Sequence, residues 1–266
     1  MFKKLVFIIF IVFFFTFIIY SQKVFAKNDN LDSNFPPEKE GTYDVSGHPN
    51  LKVKVFIHHP KDIRPIPTPT TPTITCPNDD VNSTALVPAL KWKLPSNWNY
   101  TLNISSVPTS VDSKNLPIIA EKAFYQWTNA PGFNINIART SLDTTINRSR
   151  LDGVNIIAWG RASNSALAIT YTWYYPSTGL VAEVDTIINQ QFPWFWNADN
   201  NMCTDQRSYD VQNILTHELG HWMGLDDRYT SEFVNNTMYG YGSKGETKKD
   251  TLTSGDINGV SSIYLY

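Results

Sequence analysis

Residues 217–227 read His-Glu-Leu-Gly-His-Trp-Met-Gly-Leu-Asp-Asp, and this run constrains the fold more than any other stretch of the chain. Positions i and i+4 of a helix lie one turn apart on the same face. A helix through the run therefore brings His217 and His221 together, where one metal ion can take both imidazoles. Glu218 flanks them, suited to act on a metal-bound water rather than on the metal itself. A hydrolytic zinc site needs two neutral imidazoles, a third protein ligand and an open position for water.

The bare five-residue motif arises by chance, and a lone helical histidine is more often structural. Here the pattern is longer. Gly224 stands three residues after His221, where the helix must stop if the chain is to turn back, and glycine accepts the left-handed cap that ends it. Asp227 follows three residues later as a third ligand, and Thr237-Met238-Tyr239-Gly240 comes shortly after.

These residues resemble those of metzincin zinc peptidases and, within that clan, of the matrixins. The resemblance implies a zinc helix, a glycine turn, a third ligand and a methionine turn. Met238 would pack beneath the metal without binding it. Residues 252–260, Leu-Thr-Ser-Gly-Asp-Ile-Asn-Gly-Val, are similar to the closing helix of matrixin domains, and Thr253 with Asp256 also reads as a helix start. Lys91-Trp92 and the strand after them are similar to the opening of such a domain. Residues 89–266 are thus expected to form the catalytic domain.

The third ligand departs from the family pattern. Matrixins usually carry His where this chain has Asp227, and the carboxylate resembles the snapalysin-type variant of the clan. Zinc accepts an Asp oxygen at ~2.0–2.2 Å. An anionic ligand lowers the net charge at the metal, so bound water should be less acidic. Asp226 falls one residue short of the family position and is read as structural.

The N-terminus has a basic start (Lys3, Lys4), an apolar run from Leu5 to Tyr20 and small residues at Val24 and Ala26. This fits a signal peptide over residues 1–26, and hence a secreted, extracellular protein. The rival is an uncleaved membrane anchor, for which the run of 16 residues is short of the ~20 that span comfortably. Residues 27–88 end in a Pro/Thr tract at 65–73, which favours extended polyproline geometry and cannot build a core. Leu51 to Ile57 alternates and could be one strand. The segment reads as a propeptide or as a spacer, with neither preferred.

Two cysteines, Cys76 and Cys203, suggest a disulfide in an exported chain. The alternative, implied by the resemblance, is a cysteine switch in which Cys76 occupies the open zinc position; the residues around it match the family's switch motif poorly. The tandem pair His58-His59 is read as solvated and is assigned no metal. No histidine lies between Asp152 and Asp185, so the second, structural zinc common in matrixins is not expected. Calcium at acidic loops stays open, without EF-hand-like spacing.

The remaining elements read as strands at 91–104, 133–137, 154–159, 165–172 and 180–188. Helices are expected at 113–129 and from Ser208 or Asp210 to about Met223. The fold class is α+β: a twisted mixed five-stranded sheet, two long helices and a small C-terminal subdomain with the methionine turn and final helix. By resemblance, Ala166, Leu167 and Ala168 belong to the edge strand over the cleft, where an extended substrate adds to the sheet.

The expected activity is metal-activated hydrolysis of peptide bonds in extracellular proteins, with one catalytic Zn2+ and Glu218 as general base. The rival of another class is a non-catalytic surface binding module that keeps the fold. A net charge of −2 gives no reason to expect nucleic acid. The expected partner is a protein or peptide substrate, with membrane contact only if the N-terminal segment is retained, and the chain is expected to be a monomer.

Overall fold

Ten strands and three helices appear in the computed structural model, which describes residues 35–61, 86–143, 145–198 and 205–265. The strands are β1 (Gly41–Asp44), β2 (Lys52–Pro60), β3 (Asn97–Asn103), β4 (Asn136–Asp143), β5 (Ile156–Gly160), β6 (Ala168–Tyr175), β7 (Leu180–Asn189), β8 (Trp194–Phe195), β9 (Tyr209–Asp210) and β10 (Tyr241–Gly242). The helices are α1 (Leu116–Thr128), α2 (Val211–Met223) and α3 (Ser254–Tyr264).

The expected five-stranded sheet is there as β4-β3-β5-β7-β6, with β6 antiparallel and the other neighbours parallel. Among the described residues, however, the sheet has eight strands: β2 pairs with β6, β1 with β2, and β10 runs beside β2. The β2–β6 pairing is antiparallel and runs from Lys52 opposite Tyr174 to His58 opposite Ala168. An unpaired edge of N–H and C=O groups is a template for another strand. The alternating segment upstream supplies one.

Periodicity explains how β2 fits. Val53, Val55 and Ile57 pack on one face of the sheet with Ile169, Tyr171 and Trp173, while Phe56 joins the core on the helical face. On that helical face, α1 and α2 pack together through Ile119, Ala123, Phe124 and Trp127 against Leu215, Leu219 and Trp222. The indole of Trp127 donates to Thr216 O at 2.8 Å, locking one helix to the other. Every residue of α2 is buried, so this helix is a central element rather than an amphipathic surface one.

Strand boundaries differ from expectation, most of all at β3 and β4. Residues 90–94 lie outside β3 and brace two turns instead, with Lys93 N donating to Gly179 O at 2.8 Å and Leu90 N to Gly224 O at 2.6 Å. The second strand begins at Asn136 rather than Phe133, because its register is set by parallel pairing with β3. The leader-like segment, the Pro/Thr tract, Cys76 and Cys203 lie outside the described residues.

Candidate metal centre

Helix α2 is held at both ends. Asp210 is its N-cap, its side chain accepting from Asn213 N at 2.9 Å. Gly224 ends it with φ +99°, a left-handed conformation that a side chain would strain; an added Cβ would also lie 2.6 Å from Trp92 O. The turn sends the chain back so that Asp227 faces the helix. His217 Nε2 lies 3.2 Å from Asp227 Oδ1, and His221 Nε2 lies 3.5 Å from Asp227 Oδ2.

These contacts are not hydrogen bonds between neutral partners. His217 Nδ1 donates to Thr237 O at 2.7 Å and His221 Nδ1 to Leu225 O at 2.9 Å, which leaves both Nε2 atoms without a hydrogen in the neutral rings. Burial drives both imidazoles to that neutral form, holding His217 well below its ordinary pKa and His221 down to about 3. Burial likewise raises the carboxyl of Asp227. Both Nε2 atoms are buried without a hydrogen-bond partner, and the buried carboxylate of Asp227 faces them with the Tyr229 hydroxyl beside it. Two ligands each ~2.0–2.1 Å from a tetrahedral ion lie about 3.3 Å apart, the spacing seen here. This donor set fits zinc.

The matrixin family model matches residues 91–265. The chain belongs to the matrixins. No curated protein matches it. This matrixin domain carries the metallopeptidase scaffold of its family, with Asp227 on the turn where His is usual.

The methionine turn is tied to the metal helix from below. Thr237 N and Met238 N donate to the two oxygens of Asp256 at 2.8 and 3.2 Å, and Thr237 O is the acceptor that orients His217. Asp256 also completes the capping box of α3 with Thr253. The closing helix thereby fixes the ring of His217 two contacts away. Met238 is fully buried; an added Cβ on Gly220 would sit 2.2 Å from its Sδ, so the glycine within the motif is what lets the sulfur approach α2.

The largest surprise is the occupant of the cleft. His58, read from the sequence as solvated and remote from any metal, is wholly buried against the site. Its ring meets that of His217 at 3.9 Å between centroids, and Phe56 stacks on His221 at 3.8 Å. His58 Nδ1 lies 3.3 Å from Glu218 Oε1. His58, His217 and Glu218 also form a second group whose ligand atoms lie within 4.8 Å of one another. Adjacency in the sequence does not separate a solvated loop pair of histidines from a pair on a strand. In a strand they face opposite ways, and His59 alone turns outward, its Nδ1 2.9 Å from Ser165 O.

The proposed edge residues change meaning accordingly. Ala166, Leu167 and Ala168 are buried, and Leu167 N donates to His58 O at 2.7 Å, so the edge they were expected to offer is taken by β2. On the other side, His59 N donates to Gly240 O at 3.1 Å and Lys61 N to Gly242 O at 2.9 Å. The strand is bonded along both rims. A cleft of about 790 Å³, lined by Phe35, Arg148 and Tyr171 among others, shares no residue with the metal cluster.

Sequence reading also missed the residues behind Glu218. Its Oε2 accepts from Thr170 Oγ1 at 2.6 Å; Thr170 lies 2.7 Å from Thr186 Oγ1, which accepts from the Trp222 indole at 2.9 Å. Because the indole only donates, the chain of hydrogens runs one way, from Trp222 through both threonines to the carboxylate. Burial pushes the Glu218 carboxyl up to about 8. Alternating Thr170 and Thr172 on a strand gave no signal that distinguishes them from ordinary β-branched residues.

Proposed function

We propose that this matrixin is a secreted zinc endopeptidase in a latent form, whose strand β2 fills the substrate groove until it is removed. The observation that carries the reading is a pair of buried acceptors with no hydrogen-bond partner, Nε2 of His217 and of His221, turned toward the buried carboxylate of Asp227. Leaving such atoms unpaired is costly, and a cation answers one from each of His217, His221 and Asp227 at once.

His217, His221 and Asp227 hold the zinc. Once bound, zinc supplies Lewis-acid polarisation of a peptide carbonyl and acidifies water. Glu218 Oε1, the oxygen free of the Thr170 bond, takes the proton from the attacking water and returns it to the leaving amine. Substrate lies extended along β6, in the main-chain bonds that β2 now holds. The leader-like N-terminus supports substrates outside the cell.

Latency follows from tethering. A strand joined to the domain by residues 61–85 competes at an effective concentration on the order of millimolar, which dilute substrate does not match. The test is zinc content and casein cleavage of the purified chain, before and after limited proteolysis in residues 62–85, beside Glu218→Gln. The expected result is full zinc throughout, little cleavage intact, strong cleavage once cut, and roughly 10²–10⁴-fold less in the variant. Equal cleavage by the intact and cut protein would overturn latency, and zinc-free cleavage would overturn the mechanism.

A further inference from the structure

His58 of β2 is buried beside His217 and Glu218, and what it meets there is a cation. Lys249 is wholly buried. Its ammonium donates to Tyr239 O at 2.6 Å, to Tyr241 O at 2.8 Å and to His58 Nε2 at 3.2 Å. Three donors thus have three acceptors, and only the third belongs to the removable strand. Glu246 Oε1 stands 4.0 Å away, beyond hydrogen-bond reach.

The pocket around His58 is built rather than incidental. Lys249 N donates to Asn213 Oδ1 on α2 at 2.8 Å, fixing the base of the lysine stem. Gly242 forms one wall: an added Cβ there would come within 2.9 Å of both Ile214 and Leu167 and 3.1 Å of His58 Nε2. The wall beside Gly242 is apolar, with Ile214 and Leu167; the opposite side carries the His217 ring and Glu218, which faces His58 Nδ1, while the ammonium faces His58 Nε2. When β2 leaves, the third donor of Lys249 loses its acceptor in a buried place, and a ligand with an apolar tip would leave it unmet.

We propose that Lys249 is a specificity-determining residue: the pocket that His58 fills selects substrates whose side chain at that position ends in a hydrogen-bond acceptor, Glu or Gln. Their terminal oxygens lie as many bonds from Cα as the Nε2 of histidine, so they reach the same point. Carboxylate and ammonium also form the stronger, charge-assisted bond. The inference rests on the reading of the β2 groove as the substrate groove.

The test uses the full chain with its own strand as the probe. His58 is replaced by Glu, Gln or Leu, each with Lys249 intact and with Lys249→Met, and hydrogen exchange is followed at the Leu167 amide, whose acceptor is His58 O. With Lys249 present, H58E and H58Q are expected to protect that amide on the order of 10-fold or more better than H58L. Lys249→Met should erase the difference. Equal protection by H58L overturns the proposal even if Lys249→Met fails to fold, because the three strand variants need only the native pocket. Casein cleavage by the cut protein separates the two readings. Cleavage with no preference among the His58 variants removes the role of Lys249 alone. A Lys249-dependent preference without cleavage keeps the pocket and removes the peptidase reading.

Discussion

The chain holds two close pairs of histidines, and they reach the same site by different rules. His217 and His221 stand one helical turn apart on α2 and point the same way, both Nε2 atoms toward Asp227. His58 and His59 are adjacent on β2 and point opposite ways, one buried against Glu218, the other turned to Ser165 O. The helical pair is complete in itself, since spacing alone puts two ligands together. The strand pair carries no meaning until its partner strand is known. Identical side chains are therefore legible in one region and silent in the other, according to whether the geometry that joins them is local.

The sharpest way to break this comparison is to remove one ring from each pair. His221→Ala should lose zinc, because the ring is one of the candidate ligands and its loss leaves Asp227 and His217 unable to close the set. His58→Ala should keep full zinc. Metal analysis after extensive dialysis reads both. If His58→Ala lost zinc as well, β2 would be part of the metal site rather than its cover.

A smaller effect tests how β2 is held. Phe56 is fully buried and stacks on the His221 ring. Phe56→Ala should weaken seating of the strand by ~3–5 kcal/mol, the usual cost of emptying such a site. The chain should then be cut faster at Lys52 and Lys54 by trypsin and should cleave casein without prior activation. An unchanged trypsin rate would mean the β6 pairing, not the ring stack, carries the strand.

How much could be read beforehand follows the same division. His217, Glu218, His221, Gly224 and Asp227 sit within one run, so helix period and cap chemistry were enough to assemble them. The helix start, left between Ser208 and Asp210, and the five domain strands came from local patterns too. The β2–β6 pairing joins residues more than a hundred positions apart and depends on register, which hydrophobic alternation does not encode. The loop from Tyr239 to Lys249 gives no readable preference in the sequence, since the burial of Lys249 appears only once Tyr239 O and Tyr241 O are seen to meet it.

The metal-free protein offers a pH test of the buried site. Glu218, ordinarily near 4.5, is held up to about 8 by burial. Between those values the unfolded chain ionises this group while the folded chain keeps its proton. The stability it contributes is present below about 4.5 and lost as pH rises through about 8. Glu218→Gln has no such titration. In chelator, the Tm of the variant minus that of the parent should therefore increase across this window and level off above it. A difference that stayed flat would place Glu218 in solvent contact, and so would put β2 out of the cleft in solution.

The smallest expected effect separates the carboxylate from what aims it. Thr170 Oγ1 donates to Glu218 Oε2, and Thr186 and Trp222 stand behind it in one directed chain. Thr170→Val keeps the shape of the side chain and removes the hydroxyl, so the core of β6 stays packed while Oε2 loses its only described donor. Groups of this kind, one shell behind a metal site, typically matter by ~10–100-fold. The activated variant should lose kcat by about that factor, with KM and zinc content unchanged, because neither the groove nor the ligands are touched. Thr170→Ser should restore the rate, since it returns the donor without the methyl group. If Thr170→Ser were as slow as Thr170→Val, the threonine would be acting through packing on β6, and the hydrogen-bond chain to Glu218 would have no part in the reaction.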